Sequence, residues 1–322
     1  MSPIHKTATW IVVPEIPILL EQSSISHTTP VTTNLPSIGP SLNHNPEACC
    51  NNSDIMAYFE LSRRDINVLE KIKDPESDPS LNVQVDPTLP KDPHISDPEE
   101  YQKVSQQERD IILAIQNLEV QQAKQRSTGT TSETDFVEEH RKCVSRLGEL
   151  IESHPEYASA RNNRAQALRR LYGDSMLVAD APRNPQALLQ EVDDAERIEA
   201  AKTVLRDLDR AISLLTPKIL YSRLSPQVAR TLSNAHTQRA AIYLMTSKLL
   251  VSKSVSVDAE RPEASWTKLD FEERASRDFA MGGRYGNEIA KGLAVSTNPT
   301  AKLCGQMVRE AMKKEYGPAY AT

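Results

Sequence analysis

Aromatic residues make up only 5% of this 322-residue chain, glycine occurs 10 times and cysteine four times. A core must therefore come from Leu, Ile, Val and Ala. Cys49 and Cys50 are adjacent, Cys143 and Cys304 stand far apart, and no Cys-x-x-Cys occurs. That pattern supplies neither a disulfide framework nor a zinc site and suits a reducing, cytoplasmic setting. His140, His154 and His236 share no ligand spacing, so no metal is expected. No apolar run approaches the roughly 20 residues a bilayer needs. The nearest, Trp10 to Leu20, is broken by Pro14, Glu15 and Pro17 and lacks the basic leader of a signal peptide. No membrane partner is expected. The net charge of -6 and the short basic run Arg169-Arg170 speak against a nucleic-acid partner. Gly282, Gly283 and Gly286 lack the strand and lysine of a phosphate loop. The pairs Glu138-Glu139 and Asp193-Asp194 read as solvated helix faces. No cofactor and no catalytic group are expected.

What is present divides the chain. Most of its 21 prolines lie before residue 100. Residues 1–55 are rich in Ser, Thr, Pro and Asn without any period, and such segments do not bury enough surface to offset the entropy of ordering. They are expected to be a disordered extension, with Met56 as a second candidate start. Residues 56–98 read as a short helix capped by Ser62, with Ile66, Leu69 and Ile72 on one stripe, followed by a proline-rich strap or free linker. Val83 and Val85 are the residues that would dock it. Residues 99–316 read as helices throughout, at 99–125, 135–153, 157–172, 185–215, 226–253, 269–283, 287–295 and 298–316.

The stretch YASARNNRAQALRRLYGD, Tyr157 to Asp174, organises the rest. Ala158, Ala165, Leu168 and Leu171 fall at helical spacing, while Ala160, Ala165 and Ala167 let a second helix approach closely. A helix this thin needs neighbours on both sides, as in stacked helix–turn–helix repeats. Pro155 and Pro217 lie 62 positions apart, whereas the tetratricopeptide period is about 34. The excess, placed after Gly173, predicts a long helix starting at Pro185. With the helix beyond Pro226 it would form a projecting hairpin tipped by Leu188, Leu249 and Leu250. Ala165 and Leu168, then Ala240 and Tyr243, occupy the small and large packing sites of first helices. Ala211, Ala275 and Phe279 occupy those of second helices. Arg164 and Arg239 stand where the repeat usually has leucine. The fold class is expected to be an all-α, tetratricopeptide-like helical-repeat solenoid with a C-terminal capping helix.

ASARNNRAQALRRLYGD (158–174), LRDLDRAISLL (205–215), ERASRDFAMGGRYGNEIAK (273–291) and NPTAKLCGQMVREAM (298–312), with NVLEKIKDPES (67–77), resemble the tetratricopeptide repeat protein 36 family. The resemblance spans most of 64–316 but not 1–55 or 175–198. It implies a repeat solenoid without catalysis, an association with tyrosine metabolism and chaperone binding, and in ciliated animals with cilium assembly.

The expected function is protein binding, as an adaptor or co-chaperone. Asn162, Asn163, Gln166, Arg170, Arg230 and Gln238 are the residues expected to line the inner groove. The partner is a protein or peptide, either a heat-shock chaperone or an enzyme of tyrosine catabolism. A clamp for acidic chaperone tails needs cations that this chain lacks. Asn163 fits it, but Asn234 and Gln238 stand where Lys and Arg are required. A second reading is a structural subunit held through the hairpin tip.

Overall fold

The computed structural model describes residues 83–128, 133–181, 187–219, 222–250, 254–257 and 259–317. The expectations for residues 1–55, for a start at Met56 and for a helix over 62–73 lie outside the described residues. The chain divides into two compact units, residues 61–308 and a second comprising 1–60 with 309–322. The described part of the second is the end of one helix and Gly317.

Eight α-helices follow in order among the described residues: α1 (Pro98–Thr128), α2 (Glu133–Ser153), α3 (Ala158–Tyr172), α4 (Asp194–Leu215), α5 (Pro226–Leu249), α6 (Lys268–Arg284), α7 (Glu288–Thr297) and α8 (Pro299–Tyr316). Consecutive helices pack against one another from α1 to α7, and α3 also touches α5. The first helices of successive pairs thus lie side by side, as a repeat solenoid requires. Only isolated β-bridges occur among the described residues. The architecture is the all-α repeat solenoid that the helical periods predict.

Local chemistry sets the boundaries. Ser225 caps α5, its side chain accepting from Val228 N, with Pro226 at the first position. Thr267 and Asp270 close a capping box on α6, and Asn287 caps α7. The small sites hold as the spacing predicts: Ala158, Ala165, Ala235, Ala240 and Ala275 are fully buried. They share one core with Leu205, Leu208, Leu232, Ile242, Phe271 and Phe279. Gly282 is the small site of α6. A Cβ there would fall 2.5 Å from Thr237 Oγ1, so α5 and α7 close around a position with no side chain.

The inserted segment differs from expectation. The helix expected from Pro185 begins at Asp194, because Asp193 caps it, accepting from Ala195 N, with Asp194 and Glu196 in the first turn. Residues before it fold back instead: Leu188 N and Leu189 N donate to Arg170 O and Leu171 O at the end of α3, satisfying carbonyls the helix leaves open. The loop after α3 buries Met176, Leu177 and Val178 and pairs Val178 with Val255 in the loop after α5. Arg197 ties both loops, donating to Met176 O at 2.7 Å and Ser256 Oγ at 3.0 Å. The helical hairpin with a bare apolar tip is therefore replaced by two cross-linked loops, and Leu188, Leu249 and Leu250 are half-buried.

The described part of the strap, residues 83–97, is docked. Asp86 N donates to Leu224 O and Leu224 N to Gln84 O, joining it to the turn before α5. Val83 packs on the main core, Val85 stays exposed, and Ile95 packs with Val104, Leu150, Ile151 and Tyr157. At the other end of the array, Cys304 is exposed together with Leu303 and Met307. The face they share on α8 covers no core among the described residues.

Candidate functional site

Helical geometry puts Ser159, Asn163, Gln166 and Arg170 on one side of α3, opposite buried Ala158, Ala165 and Leu168. On α5 the corresponding side carries Arg230, Asn234 and Ala241, opposite Leu232, Arg239, Ile242 and Tyr243. These two stripes, with the facing side of α1, form the inner wall.

Asn162 and Gln238 are not on its open surface. They are 3% and 7% exposed and bond to each other across the α3–α5 contact, Gln238 Nε2 donating to Asn162 Oδ1 at 2.8 Å. Arg169, held by Asp174 at 2.7 Å, donates to Gln238 Oε1 at 3.2 Å. This polar layer joins two repeats and is the correction to their assignment as groove residues. A turn of roughly 100° per residue moves them off the inner stripe onto the neighbouring helix.

Asn163 is half-buried. Its Nδ2 donates to Glu108 Oε1 at 2.7 Å, and Tyr157 Oη donates to Glu108 Oε2 at 2.5 Å. Glu108 is buried and has no ion pair among the described residues, and burial pushes its carboxyl above the usual range against the help of Tyr157, Ser159 and Asn163. Arg170 reaches across to α1, donating to Gln122 Oε1 at 3.1 Å and lying 3.5 Å from Glu119. Gln166 is half-exposed and Arg230 exposed, and neither has a hydrogen-bond partner among the described residues. Asn163 and Arg170 are thus tied to α1, while Gln166 and Arg230 are open. Glu108, Glu119 and Gln122 belong to the same wall and were not foreseen, because their role depends on which face of α1 meets α3.

The leucine-to-arginine departures have a shared cause. Arg164 grips fully buried Asp207 with two parallel bonds, Nε to Oδ2 at 2.6 Å and Nη2 to Oδ1 at 2.8 Å, and Arg161 adds one at 3.2 Å. Arg239 grips Asp278 with the same atoms, both at 2.7 Å, and His236 Nδ1 lies 2.8 Å from Asp278 Oδ1. Arg239 and His236 hold the Asp278 carboxyl below its usual range in spite of burial. Each pair welds the first helix of a repeat to its second. Among the described residues no group of three or more His, Cys, Asp or Glu side chains could hold a metal, and no helix is long and apolar enough to cross a membrane.

No protein-family model matches the chain, and no solved structure matches it. It is 36% identical over 260 residues to the L-tyrosine degradation gene cluster protein hmgX of Aspergillus fumigatus, covering 79% of this chain and 93% of that protein. It is 29% identical over 154 residues to the tetratricopeptide repeat protein 36 homolog of Drosophila melanogaster and 28% identical over 169 residues to tetratricopeptide repeat protein 36 of Bos taurus. These alignments cover 48% and 52% of this chain and 51% and 58% of those proteins. On the extent of the match to the Aspergillus protein and the repeat architecture, the chain belongs to the tetratricopeptide repeat protein 36 family.

Proposed function

We propose that this protein is a non-catalytic, protein-binding adaptor that serves L-tyrosine degradation. The observation that carries the reading is the match along 93% of a protein named for the L-tyrosine degradation gene cluster, joined to a fold whose inner side offers polar side chains without hydrogen-bond partners among the described residues. Gln166, Arg230 and Asn234 are its open polar positions, with Asn163 and Arg170 at its α1 side. The partner is an enzyme of L-tyrosine degradation, bound through this wall.

A heat-shock chaperone tail is the weaker candidate. Its carboxylates would meet Asn163 already donating to Glu108, and the carboxylates of Glu108 and Glu119 oppose a second acidic group. The test is pairwise titration of the purified chain against each purified enzyme of L-tyrosine degradation and against an acidic chaperone-tail peptide. The expected result is saturable binding to at least one enzyme, weakened about tenfold or more by the triple change Gln166→Ala, Arg230→Ala and Asn234→Ala, a loss of about 1.4 kcal/mol. Binding that survives the triple change removes the inner wall from the account. Binding to no enzyme removes the partner class.

A further inference from the structure

The two arginine–aspartate pairs put repeats two and three in register. Moving Arg164 onto Arg239 and Asp207 onto Asp278 matches bond for bond. The same register sets Leu168 on Tyr243, Ala200 on Phe271 and Thr203 on Arg274. On the preceding second helix, Gly148 answers to Asp209. Asp209 Oδ1 accepts from Arg239 Nη1 at 2.7 Å, while a Cβ on Gly148 would lie 3.4 Å from Arg164 Nη1.

In repeat three this socket is filled by the chain itself. Trp266 packs edge-on against Tyr243 and Phe271, ring centroids 5.3 and 5.2 Å apart, with Arg274 5.3 Å over its ring. Arg261 donates to Asp209 and Glu263, and Tyr243 Oη to Glu263 Oε1. In repeat two the loop after α3 runs away to pair with residues 254–256, and none of the described residues plugs the equivalent place. A cavity of about 510 Å³ stands there between α2 and α4. Val144, Gly148, Leu168 and Ala200 supply its apolar lining, and Arg164 Nη1 has no hydrogen-bond partner among the described residues. Glu149, Glu152, Glu196 and Glu199 line it as well. Glu196 is taken by Arg141 and Tyr172, while the other three make no ion pair among the described residues.

We propose that this cleft is a second docking site, for a peptide segment of a partner protein that repeats what residues 261–266 do one repeat on. An aromatic side chain takes the place of Trp266 on Leu168 and Ala200, where burying such a ring removes a large apolar area from water. Flanking arginine or lysine answers Glu149, Glu152 and Glu199. A backbone carbonyl of the segment accepts from Arg164 Nη1. The cleft lies on the side of α3 away from Gln166, and the proposal rests on the adaptor reading only for the class of its occupant.

The test uses a fluorescent nine-residue peptide copying residues 259–267 with Glu260→Arg and Glu263→Arg, titrated into the full-length chain and read by anisotropy. Saturable binding is expected, at least tenfold weaker with Trp266→Ala in the peptide and at least tenfold weaker with Gly148→Asp plus Ala200→Phe in the protein. Glu152→Lys, at an exposed position that leaves the packing alone, is expected to weaken binding about fivefold and guards against misfolding of the filled variant. The inner-wall triple change is expected to leave peptide binding within twofold, which separates this site from the adaptor reading. Absence of saturable binding overturns the proposal. So does equal binding of the tryptophan-free peptide, which would mark a cation site without an aromatic anchor, or binding unchanged by Glu152→Lys.

Discussion

Truncating Asp207 to alanine tests how the repeat pairs are held. Its carboxylate is fully buried and accepts two bonds from Arg164 and one from Arg161, at 2.6, 2.8 and 3.2 Å. Both guanidinium groups are mostly out of solvent, with side chains 19% and 13% exposed. Removing the carboxylate strands Arg164, while Arg161 keeps its bonds to Pro155 O, and breaking a buried pair from one side costs about 3–5 kcal/mol. At about 2–4 °C per kcal/mol for a domain of this size, the melting temperature falls by roughly 6–20 °C. The double change Arg164→Leu with Asp207→Leu restores the residue type that the repeat usually carries at the first position. It removes both charges together, and such replacements of a buried pair are often neutral or stabilising. Urea denaturation followed by far-ultraviolet circular dichroism compares them. An alanine variant within about 1 kcal/mol of wild type would refute the reasoning, as would a double variant no more stable than the single one.

Other consequences follow from the same geometry. Glu108 has its carboxyl raised by burial. The folded state therefore holds this proton more tightly than the unfolded state, so its contribution is present at acid pH and is lost as pH rises through the raised value. Glu108→Gln should flatten that part of the pH–stability curve measured by urea midpoints, and an unchanged curve would argue against it. Asp278 has the opposite sign: its depressed carboxyl stabilises above the ordinary carboxylate range, and that contribution fades as pH falls through the lowered value. Asp278→Asn should blunt the acid limb of the same curve. Gly283→Ala would place a Cβ 2.8 Å from Lys291 Cα, so it should cost about 1–3 kcal/mol in thermal unfolding by forcing α6 and α7 apart. Asp193→Ala should cost about 1 kcal/mol by removing the cap of α4, a loss that a helix begun at Pro185 would not show.

The parts legible in the sequence were those set by local period. Alanines at Ala158, Ala165, Ala240 and Ala275 mark close helix approach wherever they recur at helical spacing, and they are buried as expected. Arg164 and Arg239 looked like defects of the repeat because their partners, Asp207 and Asp278, lie 43 and 39 residues away. The signal was present all the same: LRDLD and SRDFA carry an aspartate at the same place in both second helices. The start of α4 was misread because Asn184-Pro185 and Asp193 both carry capping chemistry, and the bonds from Leu188 and Leu189 to the end of α3 favour the later one. Asn162 and Gln238 were placed on the groove because a single helix does not reveal which of its polar neighbours the next repeat will cover.

The central claim is that the inner wall of α3 and α5 binds an enzyme of L-tyrosine degradation. The direct measurement is titration of that enzyme with the wild-type chain and with the Gln166→Ala, Arg230→Ala and Asn234→Ala variant, alongside both proteins' unfolding curves. The account predicts at least tenfold weaker binding with the unfolding midpoint unchanged, since these side chains make no hydrogen bond or ion pair among the described residues. Equal binding by the two proteins, or a loss of binding accounted for by unfolding, would contradict it.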